Sequence, residues 1–82
     1  MAKPFHVTIA RVGQNLFDGE AVSLTVPGAE GVLTVLANHE AFVTPLKAGN
    51  IRIETEGGHP QLIELAGTGI LEVSNNQATV IL

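Results

Sequence analysis

The chain has no cysteine, no tryptophan and no tyrosine, a single aspartate, and only four basic residues, Lys3, Arg11, Lys47 and Arg52, among 82. The lack of cysteine removes disulfides, thiolate metal sites and thiol nucleophiles together, and it fits a reducing compartment. With a net charge of −4 and no basic cluster, binding to a phosphate backbone lacks its electrostatic footing, so no nucleic-acid partner is expected. The missing tryptophan and tyrosine leave no aromatic platform for sugar recognition. No stretch approaches the ~20 unbroken apolar residues of a membrane helix. Residues Met1 to Pro4 pass at once into alternating sequence, without the apolar core of a signal peptide, so a cytosolic protein with no direct membrane insertion is expected.

What is present is a high share of aliphatic residues: 45% of the chain is hydrophobic and 15% charged, too apolar for disorder. A chain of this length forms one small domain, expected over residues 1–82, and buries only about 60% of the surface its unfolded form exposes. Phe5 to Arg11 alternates Phe5, Val7 and Ile9 against His6, Thr8 and Ala10, the period of a half-buried strand. Residues 12–15 read as a turn, and Asp18-Gly19 as another. Ala21 to Val26 alternates again, with Pro27-Gly28 predicted to end the strand. Val32 to Leu36 is apolar at every position except Thr34, which predicts a strand covered on both sides.

Ala41 to Leu46 is a further strand, placed at an edge or end by Pro45. Ile51 to Glu56 and Gln61 to Leu65 form a hairpin around the glycines at 57 and 58, and Ile70 to Val73 and Gln77 to Leu82 flank an Asn75-Asn76 turn. About nine short strands, punctuated by glycine, proline and asparagine, predict an all-β sandwich or barrel. A helix across Val32 to Leu46 would have to pass Pro45 and a run of β-branched residues.

Little in the chain suggests catalysis. His6, His39 and His59 lie on separate segments with no i, i+4 partner, so no metal site is predicted. Ser23 and Ser74, the only serines, lack a Gly-x-Ser-x-Gly elbow, and Asp18 is the sole aspartate a triad could use. Gly67-Thr68-Gly69 has neither the lysine nor the helix of a phosphate loop, and fits a strand with close backbone approach or a bulge. No catalytic residue and no cofactor is expected. The informative feature is the polar Asn38-His39-Glu40 between two apolar runs, a knuckle that can hold side chains at a sheet end for another molecule to read. Ile70 and Ile81, out of phase with their neighbours, are either second-face core or an exposed partner surface.

The ordered series FDGE (Phe17 to Glu20), VPGAEG (Val26 to Gly31), VL-x-x-H (Val35, Leu36, His39), T-x-LK-x-G-x-IRI (Thr44 to Ile53), LEV (Leu71 to Val73) and a closing ATVIL closely resembles the epsilon subunit of F-type rotary ATP synthases, over essentially the whole chain. The resemblance implies the N-terminal domain of that subunit, a flattened sandwich of about ten short, mostly antiparallel strands. It implies a non-catalytic part of the central stalk, packed on the gamma subunit and meeting the c-ring, that couples ion flow to ATP synthesis. The location implied is the cytoplasmic side of the bacterial inner membrane, or an equivalent organelle compartment, as a peripheral part of the synthase.

By that resemblance the ring-facing residues are Glu30, Gly31 and Val32 in one loop and Asn38, His39 and Glu40 in the next. The gamma contact is expected at Leu36, Phe42, Gly67, Gly69 and Ile70. The sequence departs from the family twice in these loops: Val32 stands where many relatives carry an acid, and Asn38-His39-Glu40-Ala41 where many have Gly-His-Ala-Pro. The acid is therefore expected to have moved from the first loop to Glu40. Relatives also continue into a C-terminal helical hairpin that inhibits hydrolysis and in some cases binds ATP; with the last residue at Leu82, these 82 residues are not expected to carry either function. The rival readings are a free-standing β-sandwich ligand-binding module, disfavoured by the missing aromatics, and a cupin-like enzyme, disfavoured by the scattered histidines.

Overall fold

Alternation with period two gives each strand an inner and an outer face, and the inner faces close over one core. The structure, a computed structural model, describes residues 3–82; Met1 and Ala2, the start of the segment read for a leader, lie outside the described residues. Nine strands follow one another: β1 (Phe5–Arg11), β2 (Gln14–Ala21), β3 (Ser23–Gly28), β4 (Gly31–Val35), β5 (Phe42–Leu46), β6 (Gly49–Glu54), β7 (Gln61–Leu65), β8 (Gly69–Ser74) and β9 (Gln77–Ile81). They hydrogen-bond in the order β2-β1-β9-β8-β5-β3-β6-β7, with β4 added to β3. All pairs are antiparallel except β1 with β9. The path bends where β5 meets β3, through the single pair Gly28 and Leu46, which divides the sandwich into a β2-β1-β9-β8-β5 layer and a β4-β3-β6-β7 layer.

The core is the sum of the inward positions: Phe5, Val7 and Ile9 from β1, Leu24 and Val26 from β3, Ile51 and Ile53 from β6, Leu71 and Val73 from β8, and Ala78 and Val80 from β9, with further apolar residues from the other strands. Each large aliphatic side chain taken fully out of water contributes about 1.5–3 kcal/mol, set against the ordering of the chain.

Three expectations are corrected. Asp18-Gly19 is not a turn but the middle of β2, opposite Thr8 and Val7; the chain reverses at Val12-Gly13, where Gly13 has φ +77° and Arg11 pairs with Gln14. The strand predicted over residues 21–26 breaks at Val22, the corner where the chain passes between layers and the Val22 N–H donates to the Glu54 carbonyl at 2.7 Å. Pro27 and Gly28 do not end that strand but belong to β3, opposite Val32 and Gly31, and the reversal falls on Ala29-Glu30. Proline is tolerated there because the Pro27 carbonyl accepts from the Lys47 N–H at 2.9 Å, on the side away from β4, so the β4 ladder needs no N–H from residue 27.

The stretch from Val32 to Leu36 also departs from expectation. β4 pairs with β3 alone and is an edge strand, and only one of its faces is covered: Val35 is buried, whereas Val32 is 72% exposed and Leu36 also faces solvent. At Gly69 a side chain would stand 2.9 Å from the Ile81 carbonyl oxygen, the close backbone approach expected of this glycine pair. Gly67 has open space instead.

Candidate functional site

In β5 the alternation turns Phe42, Thr44 and Leu46 inward and leaves Val43 and Pro45 exposed. Register then lines up outward-facing residues across the layer: Pro45 opposite Ile70, Ile70 opposite Ile81, and Ile81 opposite the half-buried Ala10. Ile70 is 51% exposed, Ile81 53%, and Val43, two residues along β5 from Pro45, 64%. A proline and two isoleucines in register, with Val43 at the edge of the next row, make an apolar patch, the kind of surface that marks a protein partner. The next row of the same face is polar and acidic, running Val43, Glu72, Thr79, Thr8, Asp18. There the Asp18 carboxylate lies 2.6 Å from His6 Nε2.

At the Pro45 end of this layer the Ala29-Glu30 turn is pinned to β5: the Ala29 N–H donates to the Pro45 carbonyl at 3.0 Å. Between the turn and Thr44-Pro45 runs an open groove of about 450 Å³. Glu30, Gly31 and Val32 on its rim are all exposed. Adding a side chain at Gly28 would bring Cβ within 2.6 Å of the Gly31 carbonyl oxygen, so the tight turn that presents Glu30 requires glycine there.

At the other end of β4 stands the knuckle. Asn38 has φ +62°, and its N–H donates to Asn76 Oδ1 at 2.7 Å. His39 Nδ1 donates to the Glu40 carbonyl at 2.8 Å. The His39 ring also packs on Phe42, centroids 4.9 Å apart and tilted by 47°. Leu36, His39 and Glu40 are exposed, and Phe42 is half-buried against the core.

No charged or polar side chain among the described residues is buried, and among them no three His, Asp or Glu side chains gather as metal ligands. His6 lies on β1, His39 in the knuckle and His59 between β6 and β7. Among the described residues no helix is long and apolar enough to cross a membrane. What the geometry offers is recognition by surface side chains.

The family model described as the beta-sandwich domain of the ATP synthase delta/epsilon chain matches residues 4–82. The chain belongs to that family. It is 36% identical over 81 residues to the ATP synthase epsilon chain 1 of Methylococcus capsulatus, an alignment that takes in 99% of this chain and 57% of the relative. The chain thus spans little more than half the length of that curated relative. Its fold is similar to a chain of the mitochondrial ATP synthase of Euglena gracilis, with a TM-score of 0.87 and 24% identity over 95% of this chain and 49% of that one. A chain of the central stalk and c-ring structure from the Tetrahymena thermophila mitochondrial ATP synthase is similar too, with a TM-score of 0.78 and 14% identity over 98% of this chain and 63% of the other. At such identities these two likenesses bear on the fold alone.

Within this delta/epsilon sandwich the residues expected to meet the ring fall at two places. Glu30, Gly31 and Val32 sit at the start of β4, while Asn38, His39 and Glu40 follow its end, with a strand of roughly 14 Å between them at ~3.4 Å per residue. Glu40 thus stands at the opposite end of β4 from position 32. The expected gamma residues divide in the same way, Leu36 and Phe42 with the knuckle, Gly69 and Ile70 with Pro45 at the far end of β5. Sequence reasoning left Val43, Pro45 and Asn76 out of the site and held Ile81, like Ile70, open between second-face core and partner surface. Both isoleucines are exposed, and only register shows that Pro45, Ile70 and Ile81 stand side by side.

Proposed function

We propose that this sandwich is a non-catalytic rotor part of an F-type ATP synthase, held between the gamma subunit and the c-ring and turning with both to couple ion translocation to ATP synthesis. The observation that carries this is the exposed apolar row Pro45–Ile70–Ile81 on the outer face of its layer. It is the surface proposed for gamma. Leu36, Phe42 and the Asn38-His39-Glu40 knuckle, at the opposite end of that same layer beside the β8–β9 turn, are assigned to gamma as well, as are Gly67 and Gly69 beside Ile70. The ring contact is assigned to the β3–β4 turn, Glu30, Gly31 and Val32, because a ring surface approaching one end of the domain meets the residues of that end. The domain is then a peripheral part of the membrane complex, on the cytoplasmic side in a bacterium or the equivalent side in an organelle.

A free-standing ligand-binding module finds less support. The groove beside the β3–β4 turn is open and has no aromatic side chain on its walls. Co-expression with the gamma subunit of the same source tests the proposal: the pair should co-purify, and the chain alone should hydrolyse no ATP. Loss of gamma on washing at physiological salt would refute it.

A further inference from the structure

Asn75 and Asn76 form the turn between β8 and β9, with φ +51° and +59°, closing the Ser74–Gln77 pair. Glycine would serve such a hairpin turn as well as asparagine, so the turn by itself does not require the Asn76 side chain. That side chain leaves its own hairpin. Its Oδ1 accepts the Asn38 N–H at 2.7 Å, and its Nδ2 donates to the Pro4 carbonyl at 3.2 Å. The Asn76 carbonyl in turn accepts the His6 N–H at 3.2 Å. One amide orientation satisfies both side-chain bonds, since the oxygen meets a donor and the nitrogen an acceptor.

The three segments so joined are far apart in sequence: the entry to β1, the loop after β4, and the β8–β9 turn. The bond to Asn38 bears on the knuckle most directly. Asn38 is in the left-handed region, which asparagine enters more readily than other non-glycine residues and which its bond to Asn76 reinforces. Fixing its N–H sets where His39 begins, and the His39–Glu40 bond and the His39–Phe42 packing complete the arrangement.

We infer that Asn76 is a positioning residue for the Asn38-His39-Glu40 knuckle: it touches no partner itself but holds the knuckle in its docking conformation before the partner arrives. This rests on the assignment of the knuckle to the gamma contact. Pre-ordering a loop raises affinity by removing the ordering it would otherwise undergo on binding.

Two variants separate the parts of Asn76. Asn76→Gly keeps the positive φ and deletes both side-chain bonds; Asn76→Asp keeps the acceptor for Asn38 and loses the donor to Pro4. In the full chain, amide hydrogen exchange at Asn38 should quicken about tenfold in Asn76→Gly, the scale of one hydrogen bond, and stay within about threefold in Asn76→Asp. The affinity for purified gamma should follow the same order, falling severalfold in Asn76→Gly and recovering in Asn76→Asp, with the melting temperature of each variant showing that the fold persists. Unchanged exchange at Asn38 in Asn76→Gly would overturn the latch. Faster exchange with unchanged gamma affinity, while His39→Ala weakens gamma, would overturn the positioning role alone. If His39→Ala leaves gamma binding intact, the knuckle is not a gamma contact, and the positioning role goes with that assignment.

Discussion

Pro45 and Ile70 stand opposite each other across the β5–β8 ladder, both exposed, while their inward neighbours Leu46 and Leu71 are buried. The pairing puts two apolar side chains within cross-strand reach on the wrong side of the sheet for the core, and Ile81 extends them onto the next strand. A monomer gains nothing in its core from such a row. It makes sense as the half of an interface that a partner completes.

The contrast between Ile70 and Leu71 is directly measurable. Leu71 has no exposed surface, so Leu71→Ala removes core contacts and leaves a cavity, and should cost about 2–5 kcal/mol in denaturant unfolding. Ile70→Ala, one residue away and facing solvent, should stay within about 0.5 kcal/mol of the parent. Equal losses at the two positions would mean that the outer face is packed in the free protein.

Gly67 and Gly69 should also differ sharply. At Gly69 a Cβ would meet the Ile81 carbonyl oxygen at 2.9 Å and Leu82 Cδ2 at 3.0 Å, so Gly69→Ala must displace backbone and should destabilise by roughly 1–3 kcal/mol. Gly67 has nothing within 4 Å of that position, and Gly67→Ala should be neutral or slightly stabilising through the unfolded state. Thermal melts of the two variants decide this.

The His6–Asp18 contact is short, at 2.6 Å, yet its side chains are 45% and 55% exposed, so water and salt screen it. A double-mutant cycle with His6→Ala and Asp18→Asn should return a coupling of about 1 kcal/mol or less, shrinking as salt is added. A coupling of several kcal/mol that ignores salt would mark the pair as more than a surface contact.

Much of the architecture was legible because alternation in β1, β6, β8 and β9 is clean, and because Pro, Gly and Asn mark most of the reversals. The misreadings share one cause, that local preference yielded to pairing. Asp18-Gly19 has the composition of a turn, but β2 continues through it because Thr8 and Val7 of β1 are there to pair with. Pro27-Gly28 has the composition of a strand end, but the ladder to β4 runs on past it. Val32 looked doubly covered because apolar residues flank it, and nothing in a single sequence says that one face of β4 has no layer over it. The candidate site was legible in its polar loops and hidden in its apolar row. The resemblance put Glu30 and Glu40 on one ring-facing surface, and in the fold the length of β4 stands between them. Pro45, Ile70 and Ile81 are 36 residues apart from first to last, and only strand register brings them together.

The ring assignment predicts that Glu30→Lys weakens association of the gamma-bound domain with a detergent-solubilised c-ring, whereas Glu40→Lys, at the other end of β4, leaves ring association unchanged and affects gamma instead. Sedimentation of the reconstituted complexes reads both effects. Ring binding that falls with Glu40→Lys and not with Glu30→Lys would reverse the assignment.

The most direct test of the central claim compares two equally conspicuous apolar residues on opposite layers, Ile70 on β8 and Leu62 on β7, the latter 62% exposed. The dissociation constant for purified gamma should rise at least tenfold in Ile70→Lys, because a charge would be buried against an apolar partner surface. It should be unchanged in Leu62→Lys. Equal affinities for the two variants, or a loss confined to Leu62→Lys, would contradict the assignment of the Pro45–Ile70–Ile81 row to the rotor interface.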